Sequence, residues 1–313
     1  MNLDTAIDTF LSPIADKISG IIFSSVTIHG VKIEFLVALL MCAAFYFTFR
    51  TRFIGVWGFK HALKLITKNY EHKEVRVKKK KGEVSSFQAL TATISASAGI
   101  GNVAGSAAAV SIGGPGVIFW MVLAGFFSMA LKFAEVLLGL KFRKVNPDGT
   151  IAGGPMYYIE GALKNNKYIG KFAPHLSKIY AVCCIFAMIG GWNLFQINAM
   201  TTQITEVTGG DNSFFANQSW LLGLIVAVIT YFTIIGGIKA IGKFTSKVTP
   251  VMCTLYVLTA FAVCIYNIGH VPHTFALIIK EAFHPRALTG GMFACMLWGF
   301  RRAMFANESG LGT

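Results

Sequence analysis

Residues 88–105 read Gln-Ala-Leu-Thr-Ala-Thr-Ile-Ser-Ala-Ser-Ala-Gly99-Ile100-Gly101-Asn102-Val-Ala-Gly105, rich in small and hydroxyl side chains and poor in Leu and Phe. Two roles fit such a run inside a membrane. Gly101 and Gly105 have GxxxG spacing, which lets helix backbones approach closely. Alternatively, the glycines flanking Ile100, followed by Asn102, offer a low-cost point at which a helix can unwind. N–H groups freed at the start of a second half-helix would face an anion such as a carboxylate. Carbonyls freed at the end of the first would face a cation such as Na⁺. At membrane depth such irregular backbone survives only where it lines a cavity. The pattern G-x-G-x-x-x-G follows no strand and is not a dinucleotide fingerprint.

Other polar residues interrupt apolar runs. Lys132 and Glu135 lie three apart in GFFSMALKFAEVLLGL, on one helix face, where they can form a structural ion pair. Asn193, Gln196 and Gln203 fall on one broad helical stripe, and Phe195, Gln196 and Asn198 are candidate cavity-lining residues. Trp298-Gly299-Phe300-Arg301-Arg302, followed by Asn307-Glu308-Ser309-Gly310, suggests a second interrupted helix. Enzyme chemistry finds little here: the seven His are scattered, and neither HExxH nor GxSxG occurs. The six Cys lie in apolar stretches without CxxC, as packing residues rather than metal ligands or disulfides.

The elements that must position these residues follow from composition. The 313 residues are 54% hydrophobic and only 13% charged, with mean hydropathy +0.60; soluble chains carry roughly 25% charged residues. An all-α integral membrane bundle is indicated, since the apolar runs are long and continuous rather than alternating as in β-barrels. Seven spans are read at about 31–49, 87–112, 115–140, 178–207, 219–238, 248–269 and 289–306. Lys and Arg collect in three segments: eleven in 50–84, seven in 141–178 and three in 239–247. These segments are read as cytoplasmic. The net charge of +14 is therefore mostly a topology signal rather than a nucleic-acid surface, and Lys78 to Lys81 serve as an anchor. The first thirty residues fall outside, with Ile7, Leu11, Ile14, Ile18 and Ile22 spaced for an amphipathic surface helix. Gly153-Gly154-Pro155 predicts a tight turn into a short helix at the inner surface.

Gly99-Ile-Gly101-Asn102-Val-Ala-Gly105 with Gly113-Gly114-Pro115-Gly116-Val-Ile-Phe-Trp120 resembles the sodium:alanine (or glycine) symporter family. Further matches are Lys132-Phe-Ala-Glu135, Gly153-Gly-Pro-Met-Tyr-Tyr158, Ile235-Gly-Gly-Ile-Lys239 and Arg301-Arg-Ala-Met-Phe-Ala-Asn307-Glu-Ser-Gly310. The resemblance implies a LeuT-like fold, in which five-helix inverted repeats surround a site for a small neutral amino acid and Na⁺. By the family's motif, Gly99, Gly101 and Asn102 hold the substrate carboxylate or cation, with Na⁺ near Ala98 and Asn102. Phe195, Gln196 and Asn198 line the pocket, and Trp298, Gly299 and Phe300 sit at the second break. Ile100 stands where the family usually has Thr, one hydroxyl fewer at the break.

The resulting expectation has an extracytoplasmic segment (1–30), a first span with its basic loop (31–84), a first repeat (85–270) and the start of a second (271–313). The implied fold is thus incomplete, about seven spans of the family's larger number, and the chain is expected to be a truncated, non-transporting N-terminal fragment. Na⁺-coupled uptake of alanine or glycine at the cell membrane is the implied activity, with no cofactor beyond the coupling ion. H⁺ coupling, or less readily a membrane-embedded enzyme, is the alternative.

Overall fold

The computed structural model describes residues 3–28, 31–66, 84–283 and 291–312. Its elements begin with α1 (Leu3–Ile22), β1 (Ser25–Ile28), β2 (Val31–Glu34), α2 (Phe35–Arg50), α3 (Ile54–Trp57) and α4 (Phe59–Ile66). Next come α5 (Ser86–Ser97), α6 (Ile100–Gly113), α7 (Val117–Lys141), β3 (Lys144–Val145), β4 (Ile151–Ala152) and α8 (Pro155–Leu163). The chain continues through α9 (Ala173–Ala187), a π-helix (Met188–Leu194), α10 (Phe195–Val207), a 3-10 turn (Gly210–Asn212) and α11 (Phe214–Asn217). It closes with α12 (Ser219–Ile235), α13 (Gly237–Tyr266), α14 (Val271–Phe283) and α15 (Met292–Ala306). Helices dominate; among the described residues the strands form two isolated antiparallel pairs, β1–β2 and β3–β4. Val117–Lys141, Ala173–Val207 and Gly237–Tyr266 are long and apolar enough to cross a membrane, while Phe35–Arg50 and Ser219–Ile235 are apolar but shorter.

Several boundaries differ from those read in the sequence. The first span starts at Phe35 rather than 31, because Val31–Glu34 pairs as a strand with Ser25–Ile28. The fourth starts earlier, at Ala173, where Pro174 fits the first helical turn. The basic segment 239–247 is not a loop but the opening of α13: Lys239, Lys243 and Lys247 recur every fourth residue, so one helical face carries all three. The short helix after Gly154 is present as expected, with Gly154 at φ 120° and Pro155 at its first position. The run Lys78 to Lys81 lies outside the described residues.

Two compact units divide the chain. The first comprises residues 1–55, 107–132 and 270–311. Its core is built by α2, α7 and α15: Val37, Leu40, Met41 and Ala44 pack with Ala124 and Leu131 and with Phe300, Ala303 and Met304. Helix repeats of three and four generate each of these stripes. In an apolar solvent close packing, rather than water exclusion, holds such helices together, and Gly299 shows how close. A Cβ there would lie 2.6 Å from Trp120 Cβ and 3.0 Å from the Val117 carbonyl. The β1–β2 hairpin joins this unit through Glu34, whose Oε1 accepts from Arg301 Nη1 at 2.8 Å. The Arg301 guanidinium also lies over the rings of Phe23 (5.0 Å) and Trp298 (5.4 Å).

The second unit comprises residues 56–106, 133–269 and 312–313. Here α5 packs on α13, with Gly242 facing Gln88 and Val84, and Thr91 and Thr249 are buried. α8 packs on α9, where Ser177 Oγ donates to the Met156 carbonyl (2.8 Å).

Gly299→Ala is expected to destabilise the first unit by about 1–3 kcal/mol, the usual cost of overpacking. Thermal unfolding in detergent, followed by size-exclusion chromatography, should show a lower midpoint. Gly139→Ala, where nothing lies within 4 Å of the added Cβ, should leave the midpoint unchanged or slightly raised.

Candidate functional site

The helix expected to break does break. α5 begins at a capping box, in which Ser85 Oγ accepts from Gln88 N (3.2 Å) and Gln88 Oε1 from Ser85 N (3.0 Å). It ends at Ser97; Ala98 caps it, its N–H donating to the Ile94 carbonyl (2.7 Å). Gly99 bends, and α6 resumes at Ile100. The interruption thus falls at Ala98–Gly99, on the first of the two glycines expected to flank it, while Gly101 and Asn102 sit in the first turn of α6. Asn102 bridges the gap: its side-chain Nδ2 donates back to the Ser97 carbonyl, and its backbone N–H to Gly99 O (2.9 Å). One residue thereby ties the end of the first half-helix to the start of the second.

The hydroxyls of α5 have a different use from the one their abundance suggests. Thr91 donates to Phe87 O (3.0 Å), Thr93 to Ala89 O (3.0 Å), Ser95 to Ala92 O (2.8 Å) and Ser97 to Thr93 O (3.1 Å). They satisfy carbonyls of their own helix, a back-bonding habit of Ser and Thr. Beyond the contacts just given, the first N–H groups of α6 and the last carbonyls of α5 lie outside their own helices' i to i−4 ladders.

Gln196 lies directly at the break. A Cβ on Gly99 would meet its Nε2 at 2.7 Å and its Oε1 at 2.8 Å. Among the described residues, that carboxamide makes no hydrogen bond, so both its donor and its acceptor are open beside the bent backbone. The structure therefore brings Gly99, Asn102 and Gln196 into one place within the second unit. Asn198, expected beside Gln196, lines a different cavity of about 310 Å³ with Thr201, Thr202, Thr205, Glu206 and Asp211. Phe195 is half exposed.

Gln196 and Asn198 part because two residues turn an α-helix by about 200°; upstream of both lies a π-helix at Met188–Leu194, which the sequence pattern did not predict. A π-turn adds a residue and rotates the downstream helix by about 100° relative to a continuous α-helix. The stripe of Asn193, Gln196 and Gln203 assumed an unbroken 3.6-residue repeat, so Asn193 leaves the register. The paired Gly190-Gly191 within it was the one available signal.

In the first unit the second interruption lies elsewhere than expected. α15 runs unbroken through Trp298, Gly299 and Phe300 and ends at Ala306. Gly299 serves close packing against α7, and Trp298 borders a cavity of about 290 Å³ with Lys32, Glu34, Val37, Leu297 and Arg301. The backbone turns instead at Asn307–Gly310, with Glu308 at φ 49° and Gly310 at φ 83°. α7 braces this turn. Ser128 Oγ accepts from Asn307 Nδ2 (2.8 Å) while donating to Gly125 O (2.8 Å), and Lys132 Nζ donates to the Glu308 carbonyl (3.2 Å). The pairing of Lys132 with Glu135 stays an expectation from spacing; the contact just given places Lys132 at the second turn. A Cβ on Gly310 would approach Leu40 Cδ2 at 2.7 Å, which keeps that position small.

Residues 19–313 match the profile of the sodium:alanine symporter family. Sodium/alanine symporter AgcS of Methanococcus maripaludis is 35% identical over 280 residues, 89% of this chain and 58% of that protein. Probable sodium/glutamine symporter GlnT of Bacillus subtilis is 32% identical over 281 residues, covering 90% of this chain and 54% of its own length. A sodium/proton-dependent alanine carrier of Bacillus sp. PS3 is 32% identical over 231 residues, covering 74% and 48%. The chain spans a little over half the length of the first two. The profile match extends over nearly the whole chain and does not itself indicate truncation. All three relatives are named as transport proteins, not enzymes.

Asn102→Ala removes the bridge across the break while leaving both half-helices intact. Hydrogen exchange of peptides covering 95–105 should quicken by about fivefold, the value of one hydrogen bond worth ~1 kcal/mol. Unchanged exchange would assign the break's stability to the flanking packing instead.

Proposed function

This multi-pass membrane chain belongs to the sodium:alanine symporter family, and on that footing we propose that it carries out Na⁺-coupled symport of a small neutral amino acid, alanine or glycine, into the cell. The observation that carries the reading is the break at Ala98–Gly99, with Gln196 set against it and Asn102 bridging it. N–H groups at the start of α6 bind the substrate carboxylate, and carbonyls at the end of α5 near Ala98 and Asn102 bind the cation. The Gln196 carboxamide orients the substrate. Because the two ligands sit at opposite ends of one interruption, each raises the other's affinity, and inward Na⁺ movement drives uptake. On this reading residues 85–270 form the first repeat of a LeuT-like fold, 271–313 open the second, and the N-terminus faces outward. H⁺ coupling is the second reading, favoured by the relative named as sodium/proton-dependent.

Labelled alanine binding and uptake, measured on the purified and reconstituted protein, test the proposal. Replacing Na⁺ by choline should lower alanine affinity by about 5–150-fold, the range of coupling energies of 1–3 kcal/mol. Equal binding and uptake in the two media would sink the Na⁺ assignment, and uptake driven by a pH gradient without Na⁺ would establish the proton reading. Gln196→Ala should weaken alanine binding by about tenfold, since a hydrogen bond to a charged group contributes roughly 1.5 kcal/mol. It should leave the unfolding midpoint unchanged.

A further inference from the structure

The segment between α8 and α9 has no part in the break, yet it is a built structure. Asn166 organises it: Oδ1 accepts from Tyr168 N (2.9 Å) and Ile169 N (3.2 Å), and its carbonyl accepts from Gly170 N (2.9 Å). Phe172 N then donates to Ile169 O (2.9 Å), leading into buried Ala173 at the start of α9. Gly170 cannot carry a side chain, since a Cβ would fall 2.5 Å from Asn166 O and 2.6 Å from Lys164 O. This closed turn holds Tyr168 at 83% exposure and Phe172 at 67%. Lys164, Lys167, Lys171 and Lys178 flank these rings in sequence; all four are exposed, and among the described residues none is paired with a carboxylate. No Asp or Glu occurs between Glu160 and Glu206.

We propose that this turn is a seat for anionic phospholipid. It immediately precedes the apolar stretch Ala173–Val207, which is long and apolar enough to cross a membrane, and on this proposal it sits at the membrane boundary. Amphipathic rings favour the headgroup layer, and Lys stems can lie along apolar surface while their ammonium groups reach headgroup phosphates. A merely soluble basic face would have no need of two exposed aromatic rings held out by a hydrogen-bonded turn. Charge complementarity selects the lipid: four lysines with one acidic residue, Glu160, within a turn of them in sequence favour phosphatidylglycerol over zwitterionic phosphatidylcholine.

The test counts lipids retained by the purified protein, titrated with phosphatidylglycerol or phosphatidylcholine and read by native mass spectrometry. The wild type should retain phosphatidylglycerol about tenfold more tightly, as expected for several lysines acting on one anionic headgroup. The Lys164→Gln/Lys167→Gln/Lys171→Gln variant should lose most of that preference, whereas Lys239→Gln/Lys243→Gln should keep it. Tyr168→Ser/Phe172→Ser should weaken retention of both lipids and keep their ratio. In the wild type alone, raising NaCl from about 50 to about 500 mM should cut the preference at least threefold, because the contacts lie at the surface. Equal retention of the two lipids by the wild type overturns the proposal, as does a salt-independent ratio. A folded triple variant with the wild-type ratio also overturns it. So does displacement of bound phosphatidylglycerol by millimolar inorganic phosphate, which would mark a site for free phosphate.

Discussion

A backbone polar group that leaves a helix inside an apolar medium must find another partner, because no water is there to take its hydrogen bond. That requirement governs both interruptions seen here. At Ala98–Gly99 the partner is supplied from within the break, by Asn102 reaching back to Ser97. At Asn307–Gly310 it comes from a neighbouring helix, where Lys132 of α7 donates to the Glu308 carbonyl while Ser128 holds the Asn307 side chain. The two solutions differ in what they leave over. The first leaves helix-end groups beside the open carboxamide of Gln196, which is the arrangement a small polar ligand needs. The second sets an ammonium group against a backbone carbonyl in a packed core.

Tight packing makes those solutions permanent. Ala44, Ala124 and Ala303 are almost fully buried among larger side chains of the same core, and Gly299 admits nothing larger than hydrogen against Trp120. Small residues at such positions bring backbones close enough for dispersion to replace the missing hydrophobic drive. The same economy keeps Gly99 bare beneath Gln196. There the absent Cβ leaves room for a side chain with hydrogen-bonding capacity, so one residue type serves structure in α15 and chemistry at the break.

Charge is segregated from these features. Among the described basic residues, Lys239, Lys243 and Lys247 ride on one face of α13, and Lys164, Lys167, Lys171 and Lys178 flank the Asn166 turn in sequence. Between the strands β3 and β4, Asp148 accepts from Thr150 N (3.0 Å) and Oγ1 (2.6 Å), and these bonds hold its carboxyl below the usual range. Tyr158 of α8 is pushed up to about 12, first by burial and second by the Glu135 carboxylate. These elements are therefore shaped by local hydrogen bonding and burial as much as by the sign of their charge.

Residue order alone settled the helical membrane class, the presence of long apolar helices and the interruption in the second apolar stretch. Each depends on local composition: apolar length for a span, Gly and Asn for a break, a Gly-Gly-Pro cluster for a turn. Tertiary structure decided the rest. It placed the break at Ala98–Gly99, on the first of the two glycines, turned the hydroxyls of α5 back onto their own helix, and set Asn198 about 200° around α10 from Gln196, at another cavity. It made Trp298 and Gly299 part of a continuous helix and shifted the second turn to Asn307. A glycine reads the same in sequence whether it frees a backbone or admits a neighbour. What separates those uses is the atom that a Cβ would strike: for Gly99 a mobile carboxamide, for Gly299 the body of another helix.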